Sequence, residues 1–285
     1  MSKAVSLQDR RPWLIAFLPA VFLFVFFGLP NAMLLSISFL KTEAQQLTGE
    51  LTLDNYVFLF TEQTYLEALL RTFFVGVSVG ILDVVLAFPL AYFLVRTNSR
   101  WRGLLIALAL APLLASVVVR TYGWYVILNR FGVANDVMLW LGVIEQRLTL
   151  MPSTGAIIIG LAHSLLPYAV LTLMGALGGI NPSLEKAAMS LGASRFRCFV
   201  EVVLPLALPG LIGGFILSFS VAISAYATPA ILGGPATQVM ATAIYGFMTQ
   251  LLDWSIGAAM AVVLIVSSLL LFYLAARAGA RTASL

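Results

Sequence analysis

In 285 positions there is one cysteine, Cys198, and one histidine, His163. No disulfide can close within such a chain, and there are too few soft or imidazole ligands to build a metal centre. Charge is nearly as scarce: Asp, Glu, Lys and Arg make up 10% of the residues, against about 25% in soluble domains. The net charge of +4 is spread over several loops, without the dense basic and aromatic patch that nucleic-acid binding needs. No G-x-x-x-x-G-K-[ST] phosphate loop is present, so ATP hydrolysis is not a function of this chain. Internal repeats, low-complexity tracts and long linkers are missing too, which points to one membrane domain over 1–285.

What is abundant is apolar sequence, at 61% of residues. About 20 apolar residues suffice to cross hydrocarbon as a helix. On that rule the chain is an all-α polytopic membrane protein with six transmembrane helices, at about 13–40, 66–95, 103–128, 153–179, 206–233 and 255–277. The first run follows Lys3, Arg10 and Arg11; it is longer than a signal-peptide core and lacks an A-x-A site, so it reads as a retained span. Pro30, Pro89, Pro112 and Pro167 lie inside spans and are expected to kink them.

Basic residues set the orientation. They gather at the termini and in the loops after spans two and four (Arg96, Arg100, Arg102, Lys186, Arg195, Arg197, Arg277, Arg281). Acids dominate the other loops, including Glu43, Glu50, Asp54, Glu62, Asp136, Glu145 and Asp253. Both termini are therefore expected in the cytoplasm of a multi-pass protein. On the outer side, Thr52 or Asp54 is expected to cap a short surface helix over Leu53–Phe60, with Tyr56, Trp140 and Trp254 at headgroup depth.

The polar exception is Asn181–Pro205, a pair of short helices between spans four and five. Asn181 is an N-cap, Pro182 suits the first helical position, and Glu185 sits at the positive helix end. Leu184, Ala187, Ala188 and Leu191 share a face, and Gly192 serves as a left-handed terminator. Ser194 caps a second helix that Pro205 should stop. Small residues at Ala187, Ala188, Gly192 and Ala193 allow a protein surface to approach closely. The competing reading is an amphipathic helix resting on lipid, with Arg195 and Arg197 at phosphates.

Within the spans, Asp83 is a buried carboxylate that either attracts a cationic solute or pairs with a neighbouring helix. Arg120, Tyr122 and Trp124 either anchor the interface or line an external gate. Ser220 and Ser224 share a face leading to Tyr226 and Thr228-Pro229, where a broken helix end offers solute hydrogen bonds or simple helix packing. His163 is expected to hydrogen-bond between helices.

The pattern EKAAMSLGAS with Val203-Leu204-Pro205 downstream resembles the EAA loop of type I ABC importer permeases. Ala187, Ala188, Gly192, Leu204 and Pro205 match that pattern in register. Lys186 occupies the family's glutamate position, and Glu185 lies one residue earlier. The segments LTLDNYVFLF, VVRTYGWYVILNRFGVANDVMLWLGVI and ATPAILGGP are similar to the polyamine (spermidine/putrescine) branch. The resemblance implies a bacterial inner-membrane permease that pairs with a second permease subunit, two cytoplasmic ATPase subunits and a periplasmic solute-binding protein. ATP and Mg would then be bound by the ATPase, and no cofactor by this chain. Glu185 to Ala188 and Leu191 to Ser194 would form the ATPase-coupling surface. The implied solute is a polyamine or related cation, with an amino-acid derivative or opine as the alternative. An ion-coupled transporter or an intramembrane enzyme is disfavoured because neither repeated halves nor paired catalytic groups are present.

Overall fold

The computed structural model describes residues 12–282; Lys3, Arg10 and Arg11 lie outside them. Among the described residues, five helices are long and apolar enough to cross a membrane, or six if one bent pair counts as a span. The chain divides into two compact units.

Of the described residues, the first unit holds 12–63 and 244–267. Helices α1 (Pro12–Leu23) and α2 (Leu29–Ser38) are joined without a break by a π turn, Phe24–Gly28. A polar hairpin not anticipated from the sequence follows, β1 (Leu40–Glu43) against β2 (Gln46–Leu51). Its Thr42 hydroxyl meets that of Ser255. The expected surface helix is present as α3 (Asp54–Thr61). Thr52, rather than Asp54, takes its start: Thr52 Oγ1 accepts from the Asp54 amide at 3.0 Å. Tyr56 is engaged elsewhere than expected, with its hydroxyl 2.7 Å from Ser38 Oγ. Buried Asn55 donates to the carbonyls of Ser38 and Leu40 at 2.9 Å, so the helix is fastened where the chain leaves α2.

The second unit comprises described residues 64–243 and 268–282. Most of α4 (Gln63–Arg96) belongs to it, as does α8 (Thr154–Gly178), and both match expected spans. The third span does not run through. It consists of α5 (Arg102–Leu114) and α6 (Val117–Leu128), broken at Ala115–Ser116; α6 with the following α7 (Val133–Trp140) turns 95° from α5. Pro112 explains the position of the break, because its ring disrupts the last turn of α5 and Ala115 then goes extended. The fifth span also differs. It starts early, at α10 (Arg195–Cys198), passes through a π turn at Phe199–Val203, and continues as α11 (Leu204–Ser224). Pro205 therefore does not stop the preceding helix. The chain opens at Ala225–Tyr226 before α12 (Ala227–Leu232), where Pro229 falls in the first turn and its missing N–H costs no hydrogen bond. A short α13 (Met240–Tyr245) and the last span, α14 (Trp254–Thr282), complete the chain.

Lipid chains are as apolar as Leu, so helix pairing in a membrane relies on close packing, and small residues make it possible. The α8–α11 contact is built this way. A Cβ added at Gly210 would lie 2.3 Å from Ala176 Cβ, and Gly214 faces Ala169 with 3.6 Å from the Cβ position to Ala169 Cα. Around this contact Ala87, Ala91 and Leu94 of α4 pack with Val170, Leu173 and Leu177 of α8 and Ala207 of α11. That core fixes the base on which the polar insert stands.

Candidate functional site: the polar elbow and its anchorage

The insert is a bent pair of helices whose caps are all made by neighbouring residues. Asn181 Oδ1 accepts from the Ser183 amide at 2.9 Å and starts α9 (Pro182–Ser190). The helix closes with paired bonds, Gly192 N to Met189 O at 3.0 Å and Ala193 N to Ala188 O at 3.1 Å. This closure needs a left-handed residue, and Gly192 supplies it at φ +93°. Ser194 Oγ then accepts from the Arg197 amide at 3.2 Å and opens α10. The elbow's caps and its bend are thus set by local chemistry.

Its outward surface is unusually apolar for a polar insert. Leu191 and Phe196 are 89% and 77% exposed, with Leu184 and Met189 also uncovered. Lys186 and Ala187 are exposed beside them, while Ala188 and Ala193 are partly covered. Apolar side chains presented on capped helices are what a protein partner would bury.

Glu185 turns the other way. Its Oε1 accepts from Arg96 Nε at 2.9 Å and lies 2.7 Å from Arg96 Nη2, and its Oε2 accepts from the Tyr92 hydroxyl at 2.8 Å. Arg96 Nη2 also donates to Ile180 O at 3.1 Å. The charges are well placed, since Arg96 ends α4 and Glu185 begins α9. Phe199 packs edge-on against Tyr92 and Phe88 of α4. Between these groups a cavity of about 510 Å³ opens, lined by Tyr92, Glu185, Met189, Arg195, Phe196, Cys198 and Phe199. Tyr92 and Arg96 were not singled out as partners of the elbow from sequence. The available signal was an Arg at one loop and a Glu at the next, on the same predicted side.

The intramembrane candidates are not gathered into one cluster. Asp83 of α4 is fully buried beside Ser218 of α11, and among the described residues neither group makes a hydrogen bond of good geometry. Arg120 is half-buried, reaching Ser164 O at 3.4 Å while its Nε has no partner among the described residues, and Tyr122 on the same helix is exposed. His163 packs its ring edge-on to Trp124 at 5.8 Å instead of making the expected inter-helix hydrogen bond among the described contacts. Ser220 and Ser224 bond back to their own helix, at Ile216 O (2.5 Å) and Ser220 O (3.2 Å). Tyr226 stands at the α11–α12 opening and is partly exposed. The junction that sequence reasoning missed is between the two interrupted spans, where Thr121 of α6 and Thr228 of α12 share a buried hydrogen bond of 3.0 Å.

Against known proteins, residues 21–283 match the family model described as "Binding-protein-dependent transport system inner membrane component". The chain belongs to this family. The permease is 33% identical over 243 residues to the spermidine/putrescine transport system permease protein PotB of Escherichia coli K12, covering 85% of this chain and 87% of that protein. It is 35% identical over 201 residues to the inner membrane ABC transporter permease protein YdcU of the same strain, covering 66% and 64%. Its fold is similar to a bacterial ABC transporter involved in the import of alginate, with TM-score 0.76 over 96% of this chain and 97% of that one at 20% identity. It is a multi-pass inner-membrane permease subunit of an ABC importer.

Proposed function

We propose that this permease imports a polyamine or a closely related small cation, forming half of a pathway completed by a second permease subunit. In this reading the elbow docks into a cytoplasmic ATPase subunit, a periplasmic binding protein delivers the solute, and both termini are cytoplasmic. ATP and Mg belong to the ATPase pair, and this chain carries no cofactor and no catalytic group. The observation that carries the solute class is the 33% identity to a spermidine/putrescine permease over 85% of the chain. A solved alginate transporter of the same fold was crystallised in complex with its solute-bound periplasmic protein, which supports the partner kind.

Mechanically, the reading uses what the elbow offers. Exposed Leu191, Phe196 and Met189 supply apolar contact, Lys186 supplies charge, and the glycine-closed bend transmits displacement as a rigid lever. Solute contacts fall to the interrupted spans: Arg120 and Tyr122 on α6, with Ser220, Ser224 and Tyr226 at the end of α11. Broken helices leave backbone groups free to meet a solute within a bilayer. Asp83, fully buried in α4, is the carboxylate placed to attract a cation. A second reading, a solute that carries a carboxylate as well as amines, is favoured by the Nε of Arg120, which has no partner among the described residues.

The test is reconstitution of the complete transporter in liposomes with labelled spermidine and, separately, an opine. Uptake of spermidine that requires ATP and the binding protein is expected. Failure of the ATPase subunit to co-purify with the permease when the two are produced together would refute the docking of the elbow, and opine uptake alone would replace the solute class.

A further inference from the structure

The elbow carries one acidic residue in α9, and both of its oxygens are used inside the chain. From this we infer that Glu185 is a positioning residue: with Arg96 and Tyr92 it locks the elbow onto the end of α4, so that α4 moves with the elbow during transport. The inference rests on the docking role proposed above and assigns Glu185 a task other than contact with the ATPase.

The geometry supports a lock over an incidental surface pair. Tyr92 and Arg96 are four apart on α4 and present one face. They take one carboxylate oxygen each, at 2.8 Å and at 2.7–2.9 Å. The Arg96 and Glu185 side chains are only 19% and 13% exposed, so solvent screening is weak and the charge-assisted bonds keep much of their strength. Arg96 also holds Ile180 O, at the turn between α8 and α9. A single guanidinium thus fastens the end of one span, the exit of another and the first leg of the elbow. The second leg is tied to the same post, because Phe199 packs on Tyr92 and Cys198 Sγ lies 3.7 Å from Glu185 O. Lys186, one position on, is exposed and free of the lock.

Cys198 is the chain's single cysteine and is buried at the foot of the lock, so it reports on opening without an introduced label site. Two measurements follow, on Glu185→Gln, Arg96→Gln, the double variant and the milder Tyr92→Phe. In open membranes containing the permease alone, maleimide labelling of Cys198 is expected to accelerate about tenfold in either Gln variant, the factor for about 1.4 kcal/mol, and about threefold in Tyr92→Phe, where one hydrogen bond is lost. In the reconstituted transporter, both Gln variants should retain their ATPase subunits and basal ATP turnover. Spermidine uptake and the stimulation of ATP turnover by the binding protein should both fall about tenfold. The double variant should match the singles, because residues of one contact do not add.

Unchanged Cys198 labelling in both Gln variants overturns the lock. So does a double variant that loses about a hundredfold, the product expected of independent sites. Loss of the ATPase subunit from Glu185→Gln with Arg96→Gln intact would assign the carboxylate to the partner instead. A wild-type permease that never binds an ATPase would defeat the docking role, and the labelling experiment would still judge the lock by itself.

Discussion

Replacing Gly192 separates two reasons for having a glycine at the elbow's bend. Within the chain the reason is conformational: φ is +93°, and a Cβ built there finds no atom within 4 Å. The cost of a side chain is therefore the cost of the left-handed backbone, about 1–2 kcal/mol for an L-residue, with Asn tolerated better than most. We expect Gly192→Asn to cost a few tenths of a kcal/mol, Gly192→Ala about 1, and Gly192→Val about 2 because a branched Cβ is most hindered at positive φ. The bonds at stake are those from the amides of residues 192 and 193 to Met189 O and Ala188 O, at 3.0 and 3.1 Å. Hydrogen exchange at these two amides in the isolated permease is the direct assay. One kcal/mol corresponds to about fivefold faster opening, so the expected order of exchange is Gly, Asn, Ala, Val. Asn exchanging as fast as Val would refute the backbone argument. Uptake then reads the second reason. If an ATPase subunit seats closely on this bend, Gly192→Asn keeps the elbow intact yet lowers transport, because any side chain intrudes on the partner. Full uptake by that variant would mean that the bend itself is not a tight contact.

Two further substitutions test the spans. Gly210→Ala would place a methyl 2.3 Å from Ala176 Cβ, well inside the about 3.5–4.0 Å of a normal carbon contact. It should destabilise the purified permease by about 1–3 kcal/mol, with Ala176→Gly restoring the thermal midpoint in the double variant; no loss, or no restoration, would show that α8 and α11 do not meet there. Asp83→Asn places an amide donor beside the Ser218 hydroxyl, across α4 and α11, and removes an ionisable group from the bilayer. It is expected to raise stability by about 1 kcal/mol and, on the cation-attracting role proposed above, to lower spermidine uptake several-fold; a well-folded variant with unchanged uptake would place the carboxylate off the solute path.

How much of this was legible depends on the range of the interaction. The elbow's caps are written in adjacent residues: Asn181 reaches Ser183, Ser194 reaches Arg197, and Gly192 closes on residues three to five positions back. Such chemistry can be read from a string. Glu185 and Arg96 are 89 positions apart, and nothing local to either residue names the other. The interruption at Ala115–Ser116 was hidden for a different reason, since an apolar run satisfies the bilayer whether its helix is straight or broken. The hairpin at 40–51 offered the opposite difficulty, being polar, short and held by Thr42 to distant Ser255.

Proline was the signal most easily misread: Pro89 and Pro167 lie inside uninterrupted helices, and two of the other prolines share a physical account. Pro112 and the opening before Pro229 accompany breaks, but Pro30 and Pro205 do not. Both of the latter follow a leucine whose amide reaches back five residues, Leu29 N to Phe24 O and Leu204 N to Phe199 O. In an ordinary α-helix the proline ring collides with the carbonyl four residues before it, and that carbonyl loses its donor. A π turn just ahead adds a residue to the loop and shifts the carbonyl ladder, so the ring no longer meets the one it would have struck. The helix continues through the proline. In the elbow this matters mechanically: α10 runs on into α11 as one helical segment, Arg195–Ser224, so the elbow's second leg is the start of the membrane span itself. Displacement of α10 is then passed to α11 through a continuous backbone, while displacement of α9 must cross to α4 through side chains.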